Sequence, residues 1–199
     1  GKAPDLKKKE RERRKSLKID AQRKYELAVE QGDIEMMKKY ASRTTRLTTE
    51  QIEEAKEIIT ALGLPIIQAP SEGEAQAAYM VKKGDAYALI SQDTDGLLFG
   101  SHKLIKNLSI TKKKKKGAVY VKTEPEIIDL SETLNDLGID QDQLIILGML
   151  IGTDFNIGGI NGIGPKKGLT LVKKYEKDFE SLFKEVEWKF PFSWKEVFN

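Results

Sequence analysis

Residues 87–100 read YALISQDTDGLLFG, and this stretch decides the fold. Tyr87 to Ser91 is a short apolar run of the kind that forms a buried strand. Asp93 and Asp95 follow it, two residues apart, and Leu97, Leu98 and Phe99 return at once to apolar character. A strand that ends in two carboxylates and then re-enters the core holds them at its C-terminal end, where open parallel α/β sheets bind ligands. Two like charges in that place repel unless a cation lies between them. The ordinary alternative is a plain turn, in which Asp and Gly are common.

Working outward, strands alternate with helices. Upstream, Thr48 and Gln51 form a capping-box pattern, with Leu47 placed to staple onto Ile52. Ile52, Ala55, Ile58, Ile59 and Leu62 predict a buried helical stripe that Gly63 ends. Leu64 to Gln68 reads as a short strand, Ala69-Pro70 as a turn, and Ser71 to Lys83 as a helix. Downstream, Leu104–Ile110 and Ala118–Lys122 read as strands, and the lysine run Lys112–Lys116 between them as a solvated loop. Gln141 to Ile151 is an apolar helix. A glycine-rich stretch, Gly158 to Gly164, leads to Pro165 and a helix through Tyr175. This alternation predicts an α/β fold with a central, mostly parallel twisted sheet flanked by helices. Lys7 to Tyr40 is helical in composition but poor in apolar residues, with a break at Gly32-Asp33. The chain therefore divides into a basic helical region, 1–46, and a core, 47–199.

Composition narrows the chemistry. Of 199 residues, 39% are hydrophobic and 33% charged, which allows a real core beneath a very polar surface. The absence of Cys removes disulfides, thiol catalysis and thiolate-bound zinc, and a single His, His102, removes histidine-rich metal sites. A metal here must sit on oxygen ligands, which points to Mg²⁺, Mn²⁺ or Ca²⁺. No apolar run approaches the ~18 residues that suggest a membrane span, and no apolar segment follows the basic start as in a signal peptide. An intracellular location is expected. The net charge of +3 conceals a segregation. Residues 1–24 hold eleven Lys or Arg against four acids, a net of +7, which leaves −4 for the rest. A basic block beside an acidic body suits a polyanion held near metal-binding carboxylates, although a solvated basic helix has the same look. Lys7, Arg11, Arg14 and Lys18 fall on one helix face.

Three acidic motifs recur at element ends. In Ser71-Glu72-Gly73-Glu74 a capping box accounts for Glu74 and partly for Glu72, but not for Gly73, which is costly inside a helix. Asp93 and Asp95 form the second. Asp154, in Gly152-Thr153-Asp154, lies where a helix C-terminus disfavours negative charge, so a cation would compensate; a plain loop is the alternative. Together Glu72, Glu74, Asp93, Asp95 and Asp154 supply five carboxylates. Two divalent ions about 3.5–4 Å apart on such a cluster are one way to cleave phosphodiesters. The fourth motif, Gly159-Ile160-Asn161-Gly162-Ile163-Gly164-Pro165-Lys166-Lys167, brings backbone and helix N-terminal amides close to a phosphate. Helix 141–151, the glycine stretch and helix 165–175 together read as a helix-hairpin-helix for sequence-independent contact with a DNA backbone through Gly162, Gly164, Lys166 and Lys167.

Ala69–Ala78, Ser91–Gly100, Ile151–Lys166 and the opening Gly1–Lys9 resemble hallmark motifs of the archaeal flap endonucleases, in order and with suitable spacing. The resemblance implies a twisted sheet flanked by helices, a helical arch and a helix-two-turn-helix motif. It implies removal of 5′ flaps from branched DNA in replication and repair, with two Mg²⁺ ions (or Mn²⁺) on Glu72, Glu74, Asp93, Asp95 and Asp154. Lys7 and Arg14 match the basic pair that meets the scissile phosphate, and Gly159, Ile160 and Ile163 match a site that holds a monovalent cation such as K⁺. In the family two further metal-site aspartates precede the position matching Gly1, and a C-terminal tail binds the sliding clamp. Three readings follow: a nuclease active when complete, a DNA-binding piece that cannot assemble both metals, and a related metal-dependent ribonuclease, against which the hairpin speaks.

Overall fold

The computed structural model describes residues 7–44, 47–108, 113–116 and 119–199. The opening Gly1–Leu6, the ends of the two expected strands at Ile110 and Ala118, and Lys112 lie outside them. The chain divides into two compact units after Gln68, later than the expected division after residue 46.

The first unit holds α1 (Lys8–Glu30), α2 (Ile34–Thr44) and α3 (Thr49–Ala61). The break at Gly32-Asp33 falls where the sequence placed it, and Asp33 Oδ1 accepts from the Met36 amide at 2.9 Å, starting α2. α1 and α2 pack on each other. Ala21, Ala28 and Tyr40 are buried, while Leu17, Leu27 and Val29 stay exposed. α3 begins with the expected capping box, Thr48 Oγ1 accepting from the Gln51 amide and the Gln51 side chain from the Thr48 amide. Its apolar stripe is a correction. No residue of α3 is buried, and Ile58 and Leu62 are 62% and 69% exposed, as is the expected staple residue Leu47 at 73%. Leu64 to Gln68 is likewise not a strand. A strand exists only through ladder bonds, and no described strand pairs with this one.

The second unit carries α4 (Gly73–Lys83), β1 (Leu89–Ile90), α5 (Asp95–Leu98), β2 (Lys103–Lys106), β3 (Lys113–Lys116), β4 (Val119–Lys122), β5 (Glu126–Asp129), α6 (Leu130–Leu137), α7 (Gln141–Ile151), α8 (Pro165–Tyr175), α9 (Phe179–Glu185) and α10 (Trp194–Phe198). It is α/β, as expected, but the sheet is mixed in place of mostly parallel. β1 runs parallel to β2, Leu89 beside Leu104, and β5 runs antiparallel to β2, Leu104 beside Ile128. The reason lies in the connection from β2 to β5. It contains the β3–β4 hairpin and no described helix, and without a crossover helix the chain returns antiparallel. The lysine run is also a correction. Lys113–Lys116 is a strand, with Lys116 opposite Val119 and Lys113 opposite Lys122. A ladder needs only N–H and C=O groups, which lysine supplies as well as any residue.

Two apolar clusters organise this unit. Ala78, Val81, Leu89, Leu97, Leu104 and Leu130 form one around the sheet. Ile146, Met149, Leu150, Val172, Leu182 and Phe183 form the other, under α7, α8 and α9. Leu134 and Leu144 pack against both, so the sheet end and the α7–α8 pair belong to one folded body. Lys177 links the start of α7 to the segment after α8 through Asp140 at 2.6 Å and Asp142 at 2.9 Å. Among the described residues no helix is long and apolar enough to cross a membrane.

Candidate metal and nucleic-acid site

At α4 the structure replaces the capping-box reading. The N-cap is Glu72, not Ser71, and no side chain caps the helix. Glu74 is therefore not spent on its own helix terminus. Its Oε1 accepts a hydrogen bond from the Ser91 hydroxyl, which sits at the C-terminal end of β1. The same Ser91 Oγ accepts from the Asp93 amide at 3.1 Å. One hydroxyl thus ties the carboxylate of the first acidic motif to the loop of the second. Ser91 was quoted in the sequence reading without a role. Its signal was available, as a hydroxyl residue at the strand end just before two carboxylates.

Asp93 is exposed, and Asp95 opens α5. Asp95 and Thr94 line a cleft of about 240 Å³ together with Gly152 and Thr153, the two residues before Asp154. The second and third acidic motifs are thereby neighbours across α5 and α7. The donor set is all oxygen, as a hard divalent cation requires. Yet among the described residues no three acidic or histidine side chains converge tightly enough to hold a metal ion. The structure thus links Glu74 to the Asp93 loop and brings Asp95 near the Asp154 turn, without closing a full cage. The donor chemistry fits the metal, and the closed coordination shell is not formed by these residues alone.

α7 and α8 fall where the sequence placed them, each packed against the other. Between them the chain makes a tight turn. Gly152, with φ +116°, and Gly159, with φ +57°, lie back to back: a Cβ on Gly152 would come 2.6 Å from the Gly159 amide nitrogen, and one on Gly159 would strike the Ile151 carbonyl group. The Ile160 amide donates to Leu150 O at 2.8 Å, and the Ile163 amide to Ile160 O at 3.1 Å. Gly164 is the N-cap of α8 and Pro165 its first residue. Gly162, Gly164, Lys166 and Lys167 are all exposed at this end, whereas Gly159, Ile160 and Ile163 are half-buried. Asn156, which the sequence reading passed over, is 1% exposed at the centre of the turn. A lone Asn among glycines gives little notice of burial.

In the other unit, Lys7 is the residue before α1 and Arg14 lies within it. Arg14 Nε reaches Glu10 Oε1 at 2.6 Å, and Arg13 makes two bonds to the same carboxylate, at 2.7 and 2.8 Å. Hydrogen bonds from Arg13 and then Arg14 hold the Glu10 carboxyl well below its ordinary value, at about 2. The Arg14 guanidinium is thus engaged within its own helix.

The chain is similar to known proteins over most of its length. Residues 63–154 match the model of the XPG I-region family. The flap endonuclease 1 of Thermofilum pendens is 52% identical over 190 residues, which cover 94% of this chain and 55% of that protein. Among solved structures, flap endonuclease-1 from Methanococcus jannaschii is 40% identical, with a TM-score of 0.64, over 86% of this chain and 49% of that one. The catalytic core of Rad2 in complex with DNA substrate is 26% identical, with a TM-score of 0.61, over all of this chain and 55% of that one. The chain spans about half the length of the curated relatives it matches.

Proposed function

The chain is a homologue of the archaeal flap endonucleases over about half of their length, and from that premise we propose that it is part of a structure-specific 5′ flap nuclease acting on branched DNA in replication and repair. The observation that carries the reading is Ser91, whose hydroxyl joins Glu74 to the Asp93 loop at the C-terminal end of β1. Glu72, Glu74, Asp93, Asp95 and Asp154 are the residues that would hold Mg²⁺, or Mn²⁺ in its place. When bound, the metal supplies a lowered water pKa and charge stabilisation at the phosphate. The chain's own part is to hold those carboxylates at the ends of rigid elements. α7, the glycine turn and α8 serve as a helix-hairpin-helix that grips duplex backbone through the exposed Gly162, Gly164, Lys166 and Lys167. K⁺ is the cation proposed for the turn at Gly159, Ile160 and Ile163. Lys7 and Arg14 are the proposed phosphate-contacting pair; for Arg14 this role requires exchanging Glu10 for the phosphate. The sliding clamp is the proposed partner of the longer protein.

The test is flap cleavage by this sequence in the context of a full-length relative. Asp93→Ala and Asp154→Ala are expected to abolish cleavage while duplex binding stays within about twofold, because only the metal ligands are lost. Near-normal cleavage by both at saturating Mg²⁺ would remove the metal assignment. Lys166→Ala with Lys167→Ala is expected to weaken binding equally for all sequences and to lower the salt slope by about one for each lost phosphate contact.

A further inference from the structure

Asn156 has no part in the chemistry proposed above, yet its side chain makes three hydrogen bonds in an almost fully buried place. Its Nδ2 donates to Met149 O, inside α7, at 2.6 Å. Its Oδ1 accepts from the Thr153 amide at 3.2 Å and from the Thr153 hydroxyl at 2.7 Å. That hydroxyl in turn accepts from the Phe155 amide at 3.2 Å. Asp154 therefore lies between two residues whose amides are both tied into the Asn156 network. The backbone of Asn156 adds two more bonds: its amide donates to Thr153 O at 3.1 Å, and its carbonyl accepts from the Gly159 amide at 3.0 Å. The side chain thus reaches the last turn of α7 and the segment that carries Asp154, and by fixing its own residue it fixes the backbone carbonyl that holds the Gly159 amide at the start of the hairpin. A buried amide with its donor and acceptor both used has one orientation and resists displacement, because any shift leaves a buried polar group without a partner.

We propose that Asn156 is a positioning residue that locks the Asp154 turn and the Gly158–Gly164 hairpin into one rigid piece, so that divalent-metal binding and duplex-backbone binding depend on the same side chain. The functional half of this rests on the metal and hairpin reading of the preceding subsection; the mechanical half rests on the hydrogen bonds alone. The lock has a direct consequence. The two binding activities are separable by changes at their own ligands but not by a change at Asn156.

Three measurements on the full chain test it: Mn²⁺ affinity by electron paramagnetic resonance, affinity for a blunt mixed-sequence duplex by fluorescence anisotropy, and amide hydrogen exchange at Phe155, Gly159 and Ile160. Asn156→Ala is expected to speed exchange at all three amides and to weaken both Mn²⁺ and duplex binding about tenfold, the low end for loss of a residue that supports a ligand. Thr153→Val, which removes the bridging hydroxyl at nearly constant volume, is expected to move all readouts the same way by less, and Thr153→Ser to restore them. Asp154→Asn should weaken Mn²⁺ alone, and Lys166→Ala with Lys167→Ala duplex alone. If Asn156→Ala does not fold, Thr153→Val against Thr153→Ser decides the question. A folded Asn156→Ala that weakens only one affinity, or neither, overturns the proposal, as does faster exchange at Phe155 with Gly159 and Ile160 unchanged. Should the unaltered chain bind neither Mn²⁺ nor duplex, the site reading fails on its own account. Exchange at the two segments, rising together or apart, still upholds or overturns the lock.

Discussion

α3 and α7 start in the same way and end in opposite circumstances. Each opens with a complete capping box, Thr48 with Gln51 in one and Asp140 with Gln143 in the other. Each carries enough branched and aliphatic residues to bury a face. In α7 Ile146, Leu147, Met149 and Leu150 are buried, and Gln143 Nε2 reaches across to Val172 O at 2.9 Å. In α3 nothing is buried. The cap and the composition are local, and they settle whether a helix forms. Burial is a property of two surfaces, and α8 and α9 supply the second for α7. An apolar stripe therefore states what a helix can bury, not that the burial takes place.

The contrast can be broken most directly at Leu150, which has no exposed surface. Leu150→Ala should lower the stability of the second unit by about 2–5 kcal/mol, read from the denaturant midpoint, since it removes transfer free energy and leaves a cavity. A loss under ~1 kcal/mol would mean that the core beneath α7 is loose and that the two helices differ less than their burial indicates. Next in size is the cap of α3. Thr48→Ala should cost about 1 kcal/mol of local helix stability, seen as faster amide exchange in the first turn of α3 with the main unfolding transition unmoved. If the main transition moves instead, α3 folds with the rest and is not energetically separate.

Smaller still, Ile58→Ala on the exposed stripe should shift stability by no more than about 0.5 kcal/mol, as for surface positions generally. A shift of 2 kcal/mol or more, on the scale of a buried aliphatic, would show the stripe covered in solution and erase the distinction. The least change is expected from acid at α1. Glu10 titrates near 2 in the folded chain against an ordinary 4.5, so its contribution is fully present above pH 4.5 and is lost as pH falls through about 2. A carboxyl-carbon NMR titration should place its midpoint near 2, and Arg13→Gln should move it up toward 4.5. A wild-type midpoint near 4.5 would show that the arginine pair around Glu10 does not persist in water.

The sequence disclosed what depends on near neighbours. The α1–α2 break, the cap of α3 and the span of α7 and α8 were legible, because each is set by residues a few positions apart; the cap of α7 and the short α5 after the Asp93 turn were not read. Long-range partners were hidden. Leu64 to Gln68 has the composition of a strand but no described ladder, Lys113–Lys116 is a strand despite its composition, and β5 pairs antiparallel because of what the intervening chain does. β5 and α6 themselves were not anticipated. The same division holds in the site. The candidate carboxylates were picked out by type and spacing, whereas Ser91 and Asn156 come to notice only through the hydrogen bonds that folding gives them. Ser71 was the plausible cap by pattern, and Glu72 took that position.

The back-to-back glycines at 152 and 159 also constrain how this sequence can drift. A Cβ on Gly152 would enter room filled by the Gly158–Gly159 backbone and one on Gly159 room filled by the backbone of Leu150 and Ile151, and each glycine sits at a positive φ that side chains disfavour. A methyl group on Gly159 must push against the end of α7, and one on Gly152 against the start of the hairpin, so neither change can be relieved by altering the other position. Each position is therefore held to glycine on its own account. A side chain at either one is expected to be felt first as lost stability of the turn that carries Asp154, whatever that turn goes on to bind.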